Sequence, residues 1–267
     1  VSVSGLKDFF LQFTDIPMVS MGIKMPGIPA VSVDNKSGVY TAMEHLVCVH
    51  EFQKIAFITG IRNQPESEAR FLAYKESLKK YSLPFDPALV VEGDFGIHSG
   101  RLAAAELVEK RKVEFDAIFA SSDAMAIGAV HMLETLGLYV PMDRAVVGYD
   151  NVYEASYHIP SITTVAQPNK QIIYSAFDIL ISQIEGEEKV ADCILPSTFI
   201  VRKSCGCFRY LKKPVELGNE EKEINCISGS VLKAPGSDGG ENIFFSFFNV
   251  EENEKDKYKA IVFDISN

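Results

Sequence analysis

The chain has 267 residues, 47% of them hydrophobic and 23% charged, and carries a net charge of −10 at neutral pH. That length holds one large α/β unit or two lobes with a real core, while the acidic excess argues against this segment gripping nucleic acid, which calls for clustered Lys and Arg. No run reaches the roughly 18 apolar residues that a helical membrane span needs, and the first residues show no basic stretch ahead of an apolar core.

Strand-like runs alternate with amphipathic helices from the start. Pro17 to Met21 and Ala30 to Val33 read as strands, followed by a helix from Lys36 to about Val49. Next come a strand at Ile55 to Thr59, a helix from Ser67 to Tyr81, a strand at Leu89 to Glu92 and a helix from Ser99 to Lys110. This order implies a parallel sheet covered on both faces. Ala117 to Ala120 is a short apolar run that stops at Ser121-Ser122-Asp123, where polar side chains suit a helix N-cap. The following helix spaces Met125, Ile127, Gly128, Val130, Met132 and Leu133 so as to hide one face, and ends near Gly137. Ala145 to Tyr149 then delivers Asp150 to a strand's carboxyl end. Ligands sit along that edge in open α/β sheets, although spacing alone favours a plain turn residue there. A crossover at Ile162 to Gln167, a helix from Gln171 to about Gln183 and a strand at Ser197 to Arg202 complete this part.

Composition changes after Cys207. Residues 208 to 267 contain two acidic runs and the Gly-rich stretch Pro235 to Gly240, which read as linker or loop. Ile243 to Val250 and Ala260 to Ile265 look like strands, so a further small domain is expected to begin there, in a chain cut from a longer protein. The five cysteines, Cys48, Cys193, Cys205, Cys207 and Cys226, are odd in number and form no C-x-x-C pair, which fits a reduced, cytoplasmic setting. Cys205-Gly206-Cys207 offers two thiolates, but a zinc site usually takes four ligands and no second cluster accompanies them in the sequence. The reading is therefore a strand end, with no metal and no cofactor.

Six ordered segments carry a family resemblance. Ser32-Val33-Asp34-Asn35 with Gly38, Ile55 to Gly60, and Ala69-Arg70-Phe71 with Tyr74 form the first half. Gly93-Asp94-Phe95 with Ser99-Gly100, Pro160-Ser161-Ile162-Thr163-Thr164 with Gln167-Pro168, and Val201 to Gly206 form the second. Over roughly residues 15 to 207 the chain resembles the effector-binding part of LacI-type sensors. The resemblance implies an α/β, bilobed, periplasmic-binding-protein-like type I fold of parallel sheets flanked by helices, with its amino-terminal lobe incomplete. It lays the chain out as a partial amino-terminal lobe (1–34), a carboxyl-terminal lobe (35–165), a return to the first lobe (166–194), a closing strand segment (195–207) and a linker with the start of a possible further domain (208–267).

It also implies an effector of the sugar or purine class. Arg70 would clamp its polar groups, Phe95 would stack on its ring and Asp150 would accept its hydrogen bonds. The asparagine of the family's N-D-x-x-A-x-G motif is Ser122 here, which would reach ligand only through water or not at all. Asp123 is expected to cap the helix instead. Val49 to Lys54 departs from the family's Gly-His-Arg and resembles sensors fused to diguanylate cyclase or histidine kinase modules. No counterpart of the family's helix-turn-helix or first two strands precedes Val1, so upstream chain or a partner is expected to cover an open sheet edge. Lobe closure about crossovers near Val33 to Asn35, Val165 to Gln167 and Ile194 to Ser197, in a homodimer, is the expected action. One rival is a solute-binding protein feeding a transporter. The other is an enzyme, for which no G-x-S-x-G, H-E-x-x-H or Walker motif is present, and Val262 to Ser266 only faintly resembles a phosphatase strand.

Overall fold

A computed structural model describes Phe13, residues 16–186 and 191–207, and the backbone of three short strands further along. In chain order the elements are β1 (Ser20–Met21), β2 (Ala30–Asp34), α1 (Ser37–Glu44), β3 (Ile55–Thr59), α2 (Pro65–Lys80), β4 (Val90–Glu92), α3 (Ile97–Ala105), β5 (Ala117–Ala120), α4 (Asp123–Thr135) and β6 (Ala145–Val147). They continue with α5 (Tyr153–Tyr157), β7 (Thr164–Ala166), α6 (Asn169–Ile184), β8 (Cys193–Pro196), β9 (Thr198–Val201), β10 (Gly229–Val231), β11 (Phe244–Ser246) and β12 (Val262–Phe263). Two of the helices run on into π turns, His45–Val49 after α1 and Glu106–Lys110 after α3. The chain divides into two compact units, Val1–Gly38 with Gln167–Thr198, and Val39–Ala166 with Phe199–Asn267.

The larger unit is built on a parallel sheet of order β4-β3-β5-β6, in register at Phe57↔Val90, Ile55↔Ala117 and Ala117↔Ala145. Its strands read IAFIT, AIFA and AVV because they are covered on both faces, where no alternation with polar residues is required. Successive side chains still point to opposite faces. Ala56, Ile58, Ile118, Ala120 and Val146 join one core with Ala103, Leu107 and Met125 of the α3–α4 side. Ile55, Phe57, Phe119, Ala145 and Val147 join a second core with Val39, Met43, Leu46 and Tyr74 of the α1–α2 side. Phe57 stacks on Tyr74 at 4.6 Å between ring centroids and meets Phe119 edge-on at 5.5 Å. Helices α3 and α4 approach through two glycines: a Cβ on Gly100 would run into the Met125 backbone, and one on Gly128 into the Ile97 carbonyl.

The smaller unit has a three-stranded parallel sheet of order β1-β2-β8, paired at Ser20↔Ala30 and Val31↔Cys193. Helix α6 closes one of its faces, with Ala176 and Ile179 packed on Val31. The opposite side of α6 leaves Tyr174 and Phe177 exposed.

The parallel α/β architecture agrees with the sequence reading. Several elements differ in detail. Strand β1 keeps two residues of the five expected, and α2 starts at Pro65, whose fixed φ and missing N–H suit a first helical position. Most of the stretch read as a crossover near Ile194 to Ser197 forms strand β8, and the division between the units follows it at Thr198. Helix α5 is too short to show a periodic pattern and was not expected. Strands β11 and β12 fall inside the two runs read as strands beyond Cys207, and the rest of those runs, with the acidic and Gly-rich segments, lies outside the described residues.

Candidate functional site

The turn after β4 is shaped by close packing. A Cβ on Gly93 would collide with the Met125 thioether, and Asp94 Oδ1 accepts the Gly96 N–H at 2.8 Å. Phe95 is thereby held at φ 68°, a left-handed conformation that costs a non-glycine residue energy. Its ring lies against Gly60 at the end of β3, where any Cβ would occupy the ring's own space.

Arg70 projects from α2 into the protein and is 4% exposed. Its Nη1 donates to the Ser121 carbonyl at 2.6 Å, and its guanidinium carbon lies 3.6 Å from the centroid of the Tyr149 ring. The same nitrogen stands 3.6 Å from Asp150 Oδ1, and the Phe95 ring lies 6.0 Å from the guanidinium. A planar cation stacked on an aromatic face and fixed by a carbonyl keeps its orientation before any ligand arrives. Asp150 follows β6 with φ 114°, and Asn151 follows at φ 56°. The Asp150 N–H donates to the Val165 carbonyl at 2.8 Å, so the strained turn is pinned to β7.

Thus Arg70, Phe95 and Asp150 are brought together. Ser122 is near but differently employed. Its Oγ accepts the Met125 N–H at 3.2 Å, capping α4, and donates to the Phe95 carbonyl at 3.1 Å. The expectation that Asp123 caps the helix is corrected, because the extended backbone of Ser122 puts that hydroxyl over the first turn. Asp123 is instead fully buried, accepting the Val152 N–H at 2.9 Å and the Thr164 hydroxyl at 2.5 Å. Burial pushes its carboxyl up to about 7, against the pull of those two hydrogen bonds, with the Asp150 charge adding to the rise.

Arg202 belongs to the closing motif, which assigns it no role. It is 4% exposed, donating to the Ile162 carbonyl at 2.9 Å and to Asn151 Oδ1 at 2.7 Å. It thus holds the turn that carries Asp150. The signal was a charged residue inside an apolar closing strand, which needs partners wherever it is buried.

The reading that Cys205 and Cys207 stand without companion ligands is also corrected. His45 and His50 join them, and the four ligand atoms lie within 4.8 Å of one another. Folding supplies what spacing could not, since α1 and the end of β9 are neighbours only in three dimensions. Burial alone would raise the Cys205 thiol, but hydrogen bonds with Cys207, His45 and His50 outweigh it and hold the group well below the usual thiol range. The bond to Cys205 and burial push Cys207 the other way.

With this geometry in place, comparison with known proteins is decisive. Residues 43–205 match the family model described as a periplasmic binding protein-like domain. The chain belongs to that family, in its LacI-type branch. The repressor PurR of Haemophilus influenzae is 30% identical over 204 residues, 74% of this chain and 60% of the relative. A sugar-binding LacI-family regulator of Escherichia coli, solved in complex with phosphate, superposes with a TM-score of 0.69 at 28% identity, over 76% of this chain and 73% of that one. A LacI-family regulator of Enterococcus faecium with bound ribose gives 0.68 at 27% identity, over 76% and 75%. This LacI-type chain spans about 60% of the length of the curated relative. No helix among its described residues is long and apolar enough to cross a membrane.

Proposed function

We propose that the larger unit supplies the polar recognition groups of an effector-sensing domain, in a LacI-type transcriptional regulator or a related signalling protein. The observation that carries this is the Arg70 guanidinium, buried on Tyr149 yet 3.6 Å from an Asp150 carboxylate that is 28% exposed. A fixed planar donor beside a reachable acceptor suits a hydroxyl-rich or ribosyl-like ligand, with the Phe95 ring as an apolar wall. Ser122 acts by positioning Phe95. The solved regulators with phosphate and with ribose support the sugar class, and a purine is kept as the second chemistry. A solute-binding protein serving a transporter is not favoured, because the relatives are regulators of transcription.

Ligand binding would favour one arrangement of the two units through its differential affinity, with Val33 to Asn35, Val165 to Gln167 and Ile194 to Ser197 as the hinge. No chemical step is assigned to the site. With a net charge of −10, these residues are not assigned a contact with DNA. Homodimerisation belongs to the same proposal, and exposed Tyr174 and Phe177 on α6 support an apolar contact surface. Sedimentation of a Phe177→Glu variant checks it, with a shift towards monomer expected.

The test of the site is a thermal-shift and calorimetric screen of ribose, ribose 5-phosphate, adenosine and hypoxanthine. A ligand that binds only the folded state raises Tm, and Asp150→Ala should abolish that rise while the chain stays folded. Unchanged affinity in the Asp150→Ala chain would remove the assignment.

A further inference from the structure

We propose that His45, His50, Cys205 and Cys207 form a zinc(II) site that clamps the end of the closing strand onto helix α1. The donors converge from two places far apart in sequence. His45 Nε2 and His50 Nε2 are 3.2 Å apart, Cys207 Sγ is 3.4 Å from the first and 3.3 Å from the second, and the two sulfurs are 3.6 Å apart. Tetrahedral zinc with Zn–S of about 2.3 Å and Zn–N of about 2.0–2.1 Å places its ligand atoms about 3.3 Å apart for N···N, about 3.5 Å for N···S and about 3.8 Å for S···S. Those four separations follow that order and lie within a few tenths of an ångström of it, and Cys205 Sγ lies within 4.8 Å of both imidazole nitrogens.

Local structure explains how the donors turn inward. His45 opens the π turn His45–Val49 and His50 follows it. On a regular helix, residues five apart would point about 140° away from each other, at about 100° per residue. The wider π turn brings the two rings to one side. Phe52 stacks on His50 at 5.1 Å and Phe199 tilts against His45 at 5.1 Å, which fixes both rings. Between the cysteines, Gly206 takes φ 98°, a conformation glycine adopts freely, and this lets a C-x-C segment aim both sulfurs at one point.

Charge favours the same occupant. Zn²⁺ with two thiolates and two neutral imidazoles is a neutral assembly, suited to a place where His45 and Cys205 are buried. Binding releases whatever protons the two thiols still carry and forms two Zn–S and two Zn–N bonds, with no change of oxidation state. Two soft sulfurs and two imidazoles in a tetrahedron select zinc rather than calcium or magnesium. The clamp closes a span of more than 150 residues, as Cys207 and His50 are 157 apart.

The experiment uses the whole chain, expressed without a metal-affinity tag and analysed by elemental mass spectrometry. Stoichiometric zinc is expected, and the metal-free chain titrated with Co²⁺ should develop thiolate-to-cobalt charge transfer with the intense visible bands of a tetrahedral centre. Cys207→Ser and His50→Asn should each weaken Co²⁺ binding by more than about 100-fold, a loss at least as large as that seen when only an outer partner is removed. A Cys48→Ser, Cys193→Ser, Cys226→Ser chain should keep the metal and the spectrum. The proposal is overturned if the natively folded chain gives no cobalt spectrum, if iron replaces zinc at equal stoichiometry, or if the Cys205→Ser, Cys207→Ser chain retains full zinc. A Cys205–Cys207 disulfide in freshly prepared protein would overturn it too.

Discussion

Two polar clusters share the larger unit, one beyond the carboxyl ends of the strands and one just ahead of β3. Around Arg70, the groups are held apart: a stacked guanidinium, a half-exposed Asp150, and a Phe95 ring on a backbone at φ 68°. Around Cys207, every donor atom faces another at 3.3–3.6 Å. The first keeps a side open to solvent and stores backbone strain, as befits a ligand that comes and goes. The second closes on a single point, as befits one that stays. Arg202 touches both, since its guanidinium holds Asn151 while its carbonyl accepts from Cys205 Sγ at 3.5 Å.

The largest effect is expected from Arg70→Ala. The variant loses a charge-assisted hydrogen bond to Ser121 and the stack on Tyr149, costing about 3 kcal/mol in urea unfolding, and loses ligand response altogether. Arg70→Lys should recover stability in part but little affinity, because an ammonium has no planar face. Full affinity in the lysine variant would show that charge alone suffices there.

Arg202→Ala separates the two clusters. It removes the donors to Ile162 and Asn151 and should cost about 2 kcal/mol. Ligand affinity should fall because the Asp150 turn loosens, while zinc content stays stoichiometric, since only the backbone of Arg202 meets the cysteine. Parallel loss of zinc and affinity would mean that the clusters act as one.

How much of this was legible in the sequence differs between the clusters. Arg70, Phe95 and Asp150 each sit in a short local motif, Phe95 and Asp150 after strands and Arg70 on the helix that follows β3, so the alternation of apolar runs with helices already orders them along the sheet. The parallel sheet was readable for the same reason, as IAFIT and AIFA are too apolar for a one-sided sheet. The His and Cys cluster has a local signal as well, because His45 and His50 enclose four residues, within the ordinary H-x₃₋₅-H spacing. What the sequence does not display is the π turn that swings both rings to one side, nor the packing of β9 beside α1. The Ser122 cap was likewise hidden, because Ser122 and Asp123 are both good caps and only backbone direction decides between them.

Backbone strain gives a smaller and opposite prediction. Asp150 adopts φ 114°, which glycine tolerates freely and aspartate takes only at a cost. Asp150→Gly should therefore raise stability by about 1 kcal/mol while abolishing ligand binding. A destabilised glycine variant would indicate that the carboxylate's contacts with Arg70 outweigh the strain, making Asp150 a structural partner more than a reserved acceptor.

Asp123→Asn has almost no effect below about pH 4, and its value lies in the pH profile. The buried Asp123 carboxyl titrates at about 7 in the folded chain against 3.8 for an ordinary aspartate. Between those values the folded state holds a proton that the unfolded state has released, so stability falls as pH rises from about 4 to about 7. Below that window both states are protonated and the penalty is absent. Above it both are ionised and the penalty is complete. An asparagine keeps the shape and cannot ionise, so the difference in Tm between variant and parent should shift in the variant's favour across that window and level off beyond it. Parallel profiles would mean that Asp123 is ionised in the fold at all these pH values, with Thr164, the Val152 N–H and Arg202 compensating its charge. Asp123 would then join the charged network under Asp150, and the ligand-facing cluster would rest on a buried anion instead of a neutral acid.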